Sequence, residues 1–210
     1  ISFFLATTVV SYAQTSRDPV NGMGAKFGRG MVNTFTGFGE FPVQISKGWK
    51  NGFMGNENNK IGGVAAGFFL GLTHSLGRTF SGFSDLVGFW AADPLNTEEL
   101  GIHLDSEYVW DKSTPEVTIK KNGFEAMGKK AGMGFSNLLL GFLEIPGQFR
   151  QAAGMDEPST GVMKGLWYFA SREWDGMTQL LTAFLPTPAD SVGYRLDQEW
   201  PWDAFSEADK

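Results

Sequence analysis

Between residues 26 and 45 apolar side chains return every three, four or seven positions, at Phe27, Met31, Phe35, Phe38 and Ile45. That spacing belongs to one face of a helix and not to the two-residue alternation of a strand. It predicts a helix over 24–47, and the related pattern downstream predicts another over 126–151. Pro42 and Pro146 fall inside these patterns, where a proline removes a backbone donor and clashes with the preceding turn. A kink or break is therefore expected near residues 41 and 145. A second pair of helices is predicted over 62–90 and 160–184, ending ahead of Pro94 and of Pro186 and Pro188. The segment GWKNGFMGNENNK reads as a Gly/Asn-rich loop between the first two helices. Its shorter counterpart, AAGMDEPST, offers Ser159 or Thr160 as a cap for the helix that follows. A β-rich barrel has poor support, because glycines recur at helical spacing and clean two-residue alternation is absent, so the expected fold class is all-α.

The chain also repeats itself. KFGRGMVNTFTGFGEFPVQ at 26–44 and KAGMGFSNLLLGFLEIPGQ at 130–148 share Lys26/Lys130, Gly28/Gly132, Gly30/Gly134, Asn33/Asn137, Gly37/Gly141, Phe38/Phe142, Glu40/Glu144, Pro42/Pro146 and Gln44/Gln148. Gly63, Val64 and Gly67 correspond to Gly161, Val162 and Gly165, and Arg78 and Gly82 to Arg172 and Gly176. The acidic aromatic segments LDSEYVWD at 104–111 and LDQEWPWD at 196–203 match as well, with Trp110 opposite Trp202. The expected architecture is two tandem glycine-rich helical-hairpin repeats with acidic aromatic closing segments. Repeat one is placed at 14–112 and repeat two at 128–204, with a linker at 113–127 and a frayed C-terminus at 205–210.

Lys26, Gly30, Asn33, Gly37, Glu40 and Gln44 are spaced by four, three, four, three and four residues, which puts them on one helical stripe. Lys130, Gly134, Asn137, Gly141, Glu144 and Gln148 form its copy. Glycine costs roughly 1 kcal/mol against alanine in a helix, so its recurrence on this face implies close approach of a second helix. That helix carries Gly63, Gly67, Gly71, His74, Arg78, Gly82 and Asp85 along one side. Glu40 with Arg78, and Glu144 with Arg172, are the candidate ion pairs, because a buried charge requires a partner. The other side carries Phe69, Leu72, Leu76, Phe80, Phe83 and Val87, matched downstream by Trp167, Ala170, Trp174, Leu181 and Phe184. These stripes read first as core, with membrane contact as the alternative.

Composition narrows the chemistry. The 210 residues include 28 Gly and 19 Phe, and the net charge of −6 makes nucleic acid a poor partner. There is no cysteine, and the two histidines are His74 and His103. That excludes thiol chemistry and a His-rich or Cys-ligated metal site. His74 reads as a helix-face residue, and His103 beside Asp105 and Glu107 is a weak metal signal. Glu40 and Glu144 could be imagined as a hydrolytic carboxylate pair, but no substrate-shaped surroundings are legible. Gly28-x-Gly30 and Gly132-x-Gly134 complete no phosphate loop, and no Gly-x-Ser-x-Gly elbow is present. No catalytic residue, cofactor or metal is expected.

The opening ISFFLATTVVSYA is apolar and ends in Ser11-x-Ala13, the small-residue pattern of a secretory cleavage site. Residues 1–13 are therefore read as a signal peptide, and the protein as exported. The Lys-x-Gly-x-Gly-x-x-Asn-x-x-x-Gly-Phe-x-Glu-x-Pro stretch at Lys26 to Pro42, repeated at Lys130 to Pro146, resembles the bacterial exosortase system-associated proteins. The resemblance continues through Gly77–Arg78–Thr79 and the Tyr/Trp-rich close. It implies an exported, envelope-associated protein and supplies no active-site residue, substrate or cofactor.

The expected function is that of a noncatalytic protein at the periplasmic face of the bacterial envelope. It packs amphipathic helices against a membrane surface or an envelope protein, with self-association a further possibility. A soluble periplasmic binding or assembly module is the alternative. The uncharged stretch 61–77 is short for a membrane span and contains Thr73, His74 and Ser75. Helices lying in the interface with Phe and Trp inserted are therefore expected. The acidity of the chain opposes adsorption to anionic lipid, so apolar insertion or a protein partner must supply the attraction.

Overall fold

The computed structural model describes residues 19–93, 123–154 and 158–187, and these are almost wholly helical. Helix α1 (Pro19–Thr36) passes through a 3₁₀ turn (Gly37–Gly39) into α2 (Glu40–Asn51), and α3 (Lys60–Val87) returns antiparallel along both. The same order follows downstream: α4 (Gly123–Leu140), a 3₁₀ turn (Gly141–Leu143), α5 (Glu144–Ala153) and the returning α6 (Pro158–Leu181). There is no strand among the described residues; Phe53 and Asn56 make an isolated bridge in the first loop.

The breaks lie at 37–39 and 141–143, just before the expected positions. The ring of a proline displaces the carbonyl four residues back, which for Pro42 and Pro146 belongs to Phe38 and Phe142, inside the two 3₁₀ turns. Each proline then occupies the third residue of the next helix, where its missing N–H is no loss because first-turn donors lack helical partners. The backbone N–H of Glu40 donates to the carbonyls of Gly37 and Phe38, and that of Glu144 to those of Gly141 and Phe142. The first donor after each bend is thus satisfied within the turn.

Other boundaries also shift. Helix α4 begins at Gly123, inside the segment read as linker, and α6 begins at Pro158, so Ser159 and Thr160 lie in its first turn and are not caps. Proline suits that opening position because its fixed φ is already helical. Asn59 caps α3, its side chain accepting from the Gly62 N–H at 3.0 Å. The loop before it reverses direction through positive φ at Gly52, Met54 and Gly55. The proposed signal segment, the closing segments with Trp110 and Trp202, and most of the linker lie outside the described residues.

The largest correction concerns the core. Of the stripes read as core, the one on α3 lies on the exterior, with Phe69 and Phe80 68% and 51% exposed, as are Phe35 and Phe38 of the preceding helix and turn. Downstream Leu181 and Phe184 are exposed too, whereas Trp167 and Trp174 are half-buried and Trp167 packs against Ala92 and Tyr168. The buried apolar residues among those described are Ala91, Ala92, Met133, Tyr168 and Leu185. Polar and charged side chains fill the space between the helices instead.

Candidate functional site

In the first hairpin the interior is a chain of hydrogen bonds. Arg78 of α3 donates through Nε (2.8 Å) and Nη2 (2.5 Å) to Oε1 of Glu40, and through Nη1 to Oδ1 of Asn33 at 3.2 Å. Gln44 donates to the other Glu40 oxygen at 3.2 Å, and its Nε2 lies 3.1 Å from Nδ1 of His74. Toward the hairpin's open end, Arg29 Nε meets Asp85 Oδ2 at 2.7 Å. Lys26 donates to the Ala91 carbonyl at 3.0 Å and forms an ion pair with Asp93. The three ion pairs fix the register of α1 and α2 against α3.

The second hairpin repeats the central part of this pattern. Arg172 donates to Glu144 Oε1 at 2.6 Å and to Asn137 Oδ1 at 3.1 Å, while Gln148 donates to Glu144 Oε2 at 3.2 Å. The structure therefore brings Asn33, Glu40 and Arg78 together, and likewise Asn137, Glu144 and Arg172. Both asparagines leave Nδ2 without an acceptor among the described residues. The two glutamates each serve their own arginine, so no paired-carboxylate chemistry arises from them. Lys130 differs from Lys26: it donates to the carbonyls of Thr182 (2.8 Å) and Leu185 (3.5 Å). Burial lowers its ammonium pKa to about 7.

Most glycines of the two stripes sit where backbones meet. A Cβ on Gly30 would fall 2.5 Å from the Leu86 nitrogen, and one on Gly67 would overlap the Gln44 carbonyl. On Gly134 it would lie 2.9 Å from the Gly176 carbonyl oxygen, and on Gly165 2.8 Å from the Ile145 Cα. Gly37 would strike Thr79, whereas Gly141 has more room, its nearest neighbour being Arg172 Cβ at 3.2 Å. Gly28 and Gly132 face open space, so their recurrence has no packing explanation here. Pro42 and Pro146 stand on the exterior.

The segment after α3 ties the hairpins together. The Ala92 N–H donates to Ser171 Oγ at 2.9 Å, and Trp167 Nε1 donates to the Trp90 carbonyl at 2.8 Å. Reciprocally, the Pro186 carbonyl presses on Gly77, leaving no room there for a side chain. Asp175 is buried at this junction, its Oδ2 lacking a hydrogen-bond partner among the described residues. Burial raises its carboxyl pKa well above the usual range, with Lys26 and Arg172 opposing the shift and Asp93 and Asp85 adding to it.

Sequence reasoning missed the Arg29–Asp85 and Lys26–Asp93 pairs, the Gln44–His74 contact and the buried Asp175. Asp85 and His74 were on the recognised stripe, but their partners were not identified. Among the described residues no group of three or more His, Asp or Glu is arranged to hold a metal ion. None of the described helices is long and apolar enough to cross a membrane. No protein-family model, curated protein or solved structure matches the chain.

Proposed function

We propose that this is an exported, noncatalytic protein of the bacterial envelope, built from two copies of one glycine-rich helical hairpin, whose apolar exterior packs against a membrane. The carrying observation is the inverted distribution of side chains: ion pairs and amides lie between the helices, while Phe, Leu, Met and Val face outward. In water that arrangement leaves extended apolar surface hydrated, with each square ångström costing on the order of 25 cal/mol. Large exposed apolar patches mark membrane or protein contact. The Ser11-x-Ala13 pattern and the resemblance to exosortase system-associated proteins support export to the envelope.

Flotation of the full chain lacking residues 1–13 with phospholipid vesicles tests the reading. The protein should rise with the vesicles at both low and high salt, and changing Phe69 and Phe80 together to Ser should reduce the floating fraction. Retention of the folded parent protein in the bottom fraction would reject the membrane partner and favour a soluble periplasmic assembly module. N-terminal sequencing from the native host should begin near Gln14.

A further inference from the structure

We infer that the first hairpin enters the bilayer end-on as one closed unit, with its loop at 52–59 at the opposite membrane face from Lys26 and Asp93. This inference rests on the membrane reading above and departs from the expectation of helices lying flat in the interface. Two observations carry it: where the charges lie, and which way the apolar stripes point.

All charged residues in 19–46 and 61–93 are Lys26, Arg29, Glu40, Arg78, Asp85 and Asp93, and all six are buried. They form the pairs Lys26–Asp93, Arg29–Asp85 and Arg78–Glu40. Each helix alone would carry unpaired charge into hydrocarbon, which is expensive. The closed hairpin presents none along its length. Exposed and half-exposed charges gather instead at the loop end, at Lys47, Lys50, Glu57 and Lys60. Lys60 lies over the Trp49 ring at 5.2 Å, the kind of aromatic and cationic grouping that suits a headgroup region.

Each helix turns its glycine and polar stripe toward its partner and its apolar stripe the other way. Phe35 and Phe38 therefore lie on one outer side, and Leu72 and Leu76 on the opposite one. A flat membrane surface can cover only one of these sides. Immersion covers both. Helix α3 has 28 residues, about 42 Å at 1.5 Å per residue, the order of a bilayer of about 40–45 Å including its headgroups; the second hairpin covers it locally, through Pro186 at Gly77 and Trp174 at Gly88. Two hydroxyls bond back to their own helix: exposed Thr73 donates to the Leu70 carbonyl at 3.0 Å, and half-buried Thr36 to that of Val32 at 2.7 Å. Such back-bonding lets a hydroxyl face lipid without an open donor.

The absence of native cysteine permits a direct test. Single substitutions Phe35→Cys, Phe38→Cys, Leu72→Cys, Leu76→Cys and Asn58→Cys are made in the full chain lacking residues 1–13. Each is reconstituted in phosphatidylcholine–phosphatidylglycerol vesicles and treated with a charged maleimide, with circular dichroism checking the fold. All four central positions should label at least about ten-fold more slowly than Asn58→Cys in opened vesicles, because a thiol in hydrocarbon does not ionise. In sealed vesicles part of the Asn58→Cys population should become reactive only after opening. If either outer side labels as fast as the loop, or if Asn58→Cys is fully reactive from outside in every sealed preparation, end-on insertion is overturned while membrane binding stands. If the folded parent chain does not associate with the vesicles, both readings fall.

Discussion

The two hairpins share a skeleton and differ in what fills and surrounds it. Both bend at a 3₁₀ turn, both place Asn, Glu and Gln on the bent strand of helices, and both return an arginine to the glutamate. Toward the open end they diverge. Where the first hairpin has the Arg29–Asp85 pair, the corresponding positions of the second are Met133 and Gln179, with Gln179 Oε1 buried and without a hydrogen-bond partner among the described residues. In the register set by Arg78 and Arg172, His74 has Tyr168 as its counterpart. The described exterior of the second hairpin carries Glu125, Lys129, Lys164 and Glu173, whereas the flanks of the first carry no charge. The shared part is what holds the helices together. On the membrane reading proposed above, the first hairpin would be the more deeply placed of the two.

The sharpest way to break the comparison is to remove one member of each shared pair. Glu40→Ala and Glu144→Ala should each destabilise the protein by about 3–5 kcal/mol, since a buried arginine is left uncompensated. Denaturant titration in matched detergent would show this, and a loss below about 1 kcal/mol at either site would remove the network from the account.

Next comes the tightness of packing. Gly37→Ala should cost about 2–3 kcal/mol because the Thr79 backbone nitrogen as well as its side chain stands in the way, while Gly141→Ala, facing side chains, should stay within about 1 kcal/mol of the parent. Equal effects would mean that the hairpins pack alike at the bend.

Lys130 separates the halves by pH. Its folded pKa near 7 lies below the ordinary 10.5, so between those values the unfolded chain holds more protons and stability rises with pH. The penalty of the buried ammonium is full below about pH 7. Lys130→Met should abolish the rise and add about 1–3 kcal/mol at pH 6. An unchanged pH profile would show that Lys130 is not desolvated.

The smallest expected change is the most informative about the difference itself. Arg29→Met with Asp85→Gln gives the first hairpin the residues of the second, and should leave stability within about 1 kcal/mol of the parent, whereas Arg29→Met alone should lose several. A double variant as damaged as the single one would show that the pair itself is required.

Much of this was legible in the residues. Helical spacing gave the paired elements, Pro42 and Pro146 gave the bends, and the recurrence of Glu40 with Arg78 identified the central pair. Periodicity, however, states which residues share a face and not which face turns inward. Assigning Phe69, Leu72 and Phe80 to the core followed the habit of water-soluble folds. The contrary signal was the glycine content of the polar stripe, since small residues are needed only where backbones touch. The Arg29–Asp85 pair was invisible to a search for repeated residues because Met133 and Gln179 replace it. Lys26–Asp93 was hidden because Asp93 lies beyond the end of α3, where helical spacing says nothing about contact.

The central claim is that the outward apolar stripes face lipid, and the identity of their neighbours can be read directly. A photoreactive phenylalanine analogue placed at Phe69 or Phe83, each more than half exposed, and activated in intact native envelopes reports what lies against α3. The account predicts lipid adducts at both positions, and few at Asn58 in the loop. Crosslinks to a protein at both positions, or reaction with water alone, would contradict it.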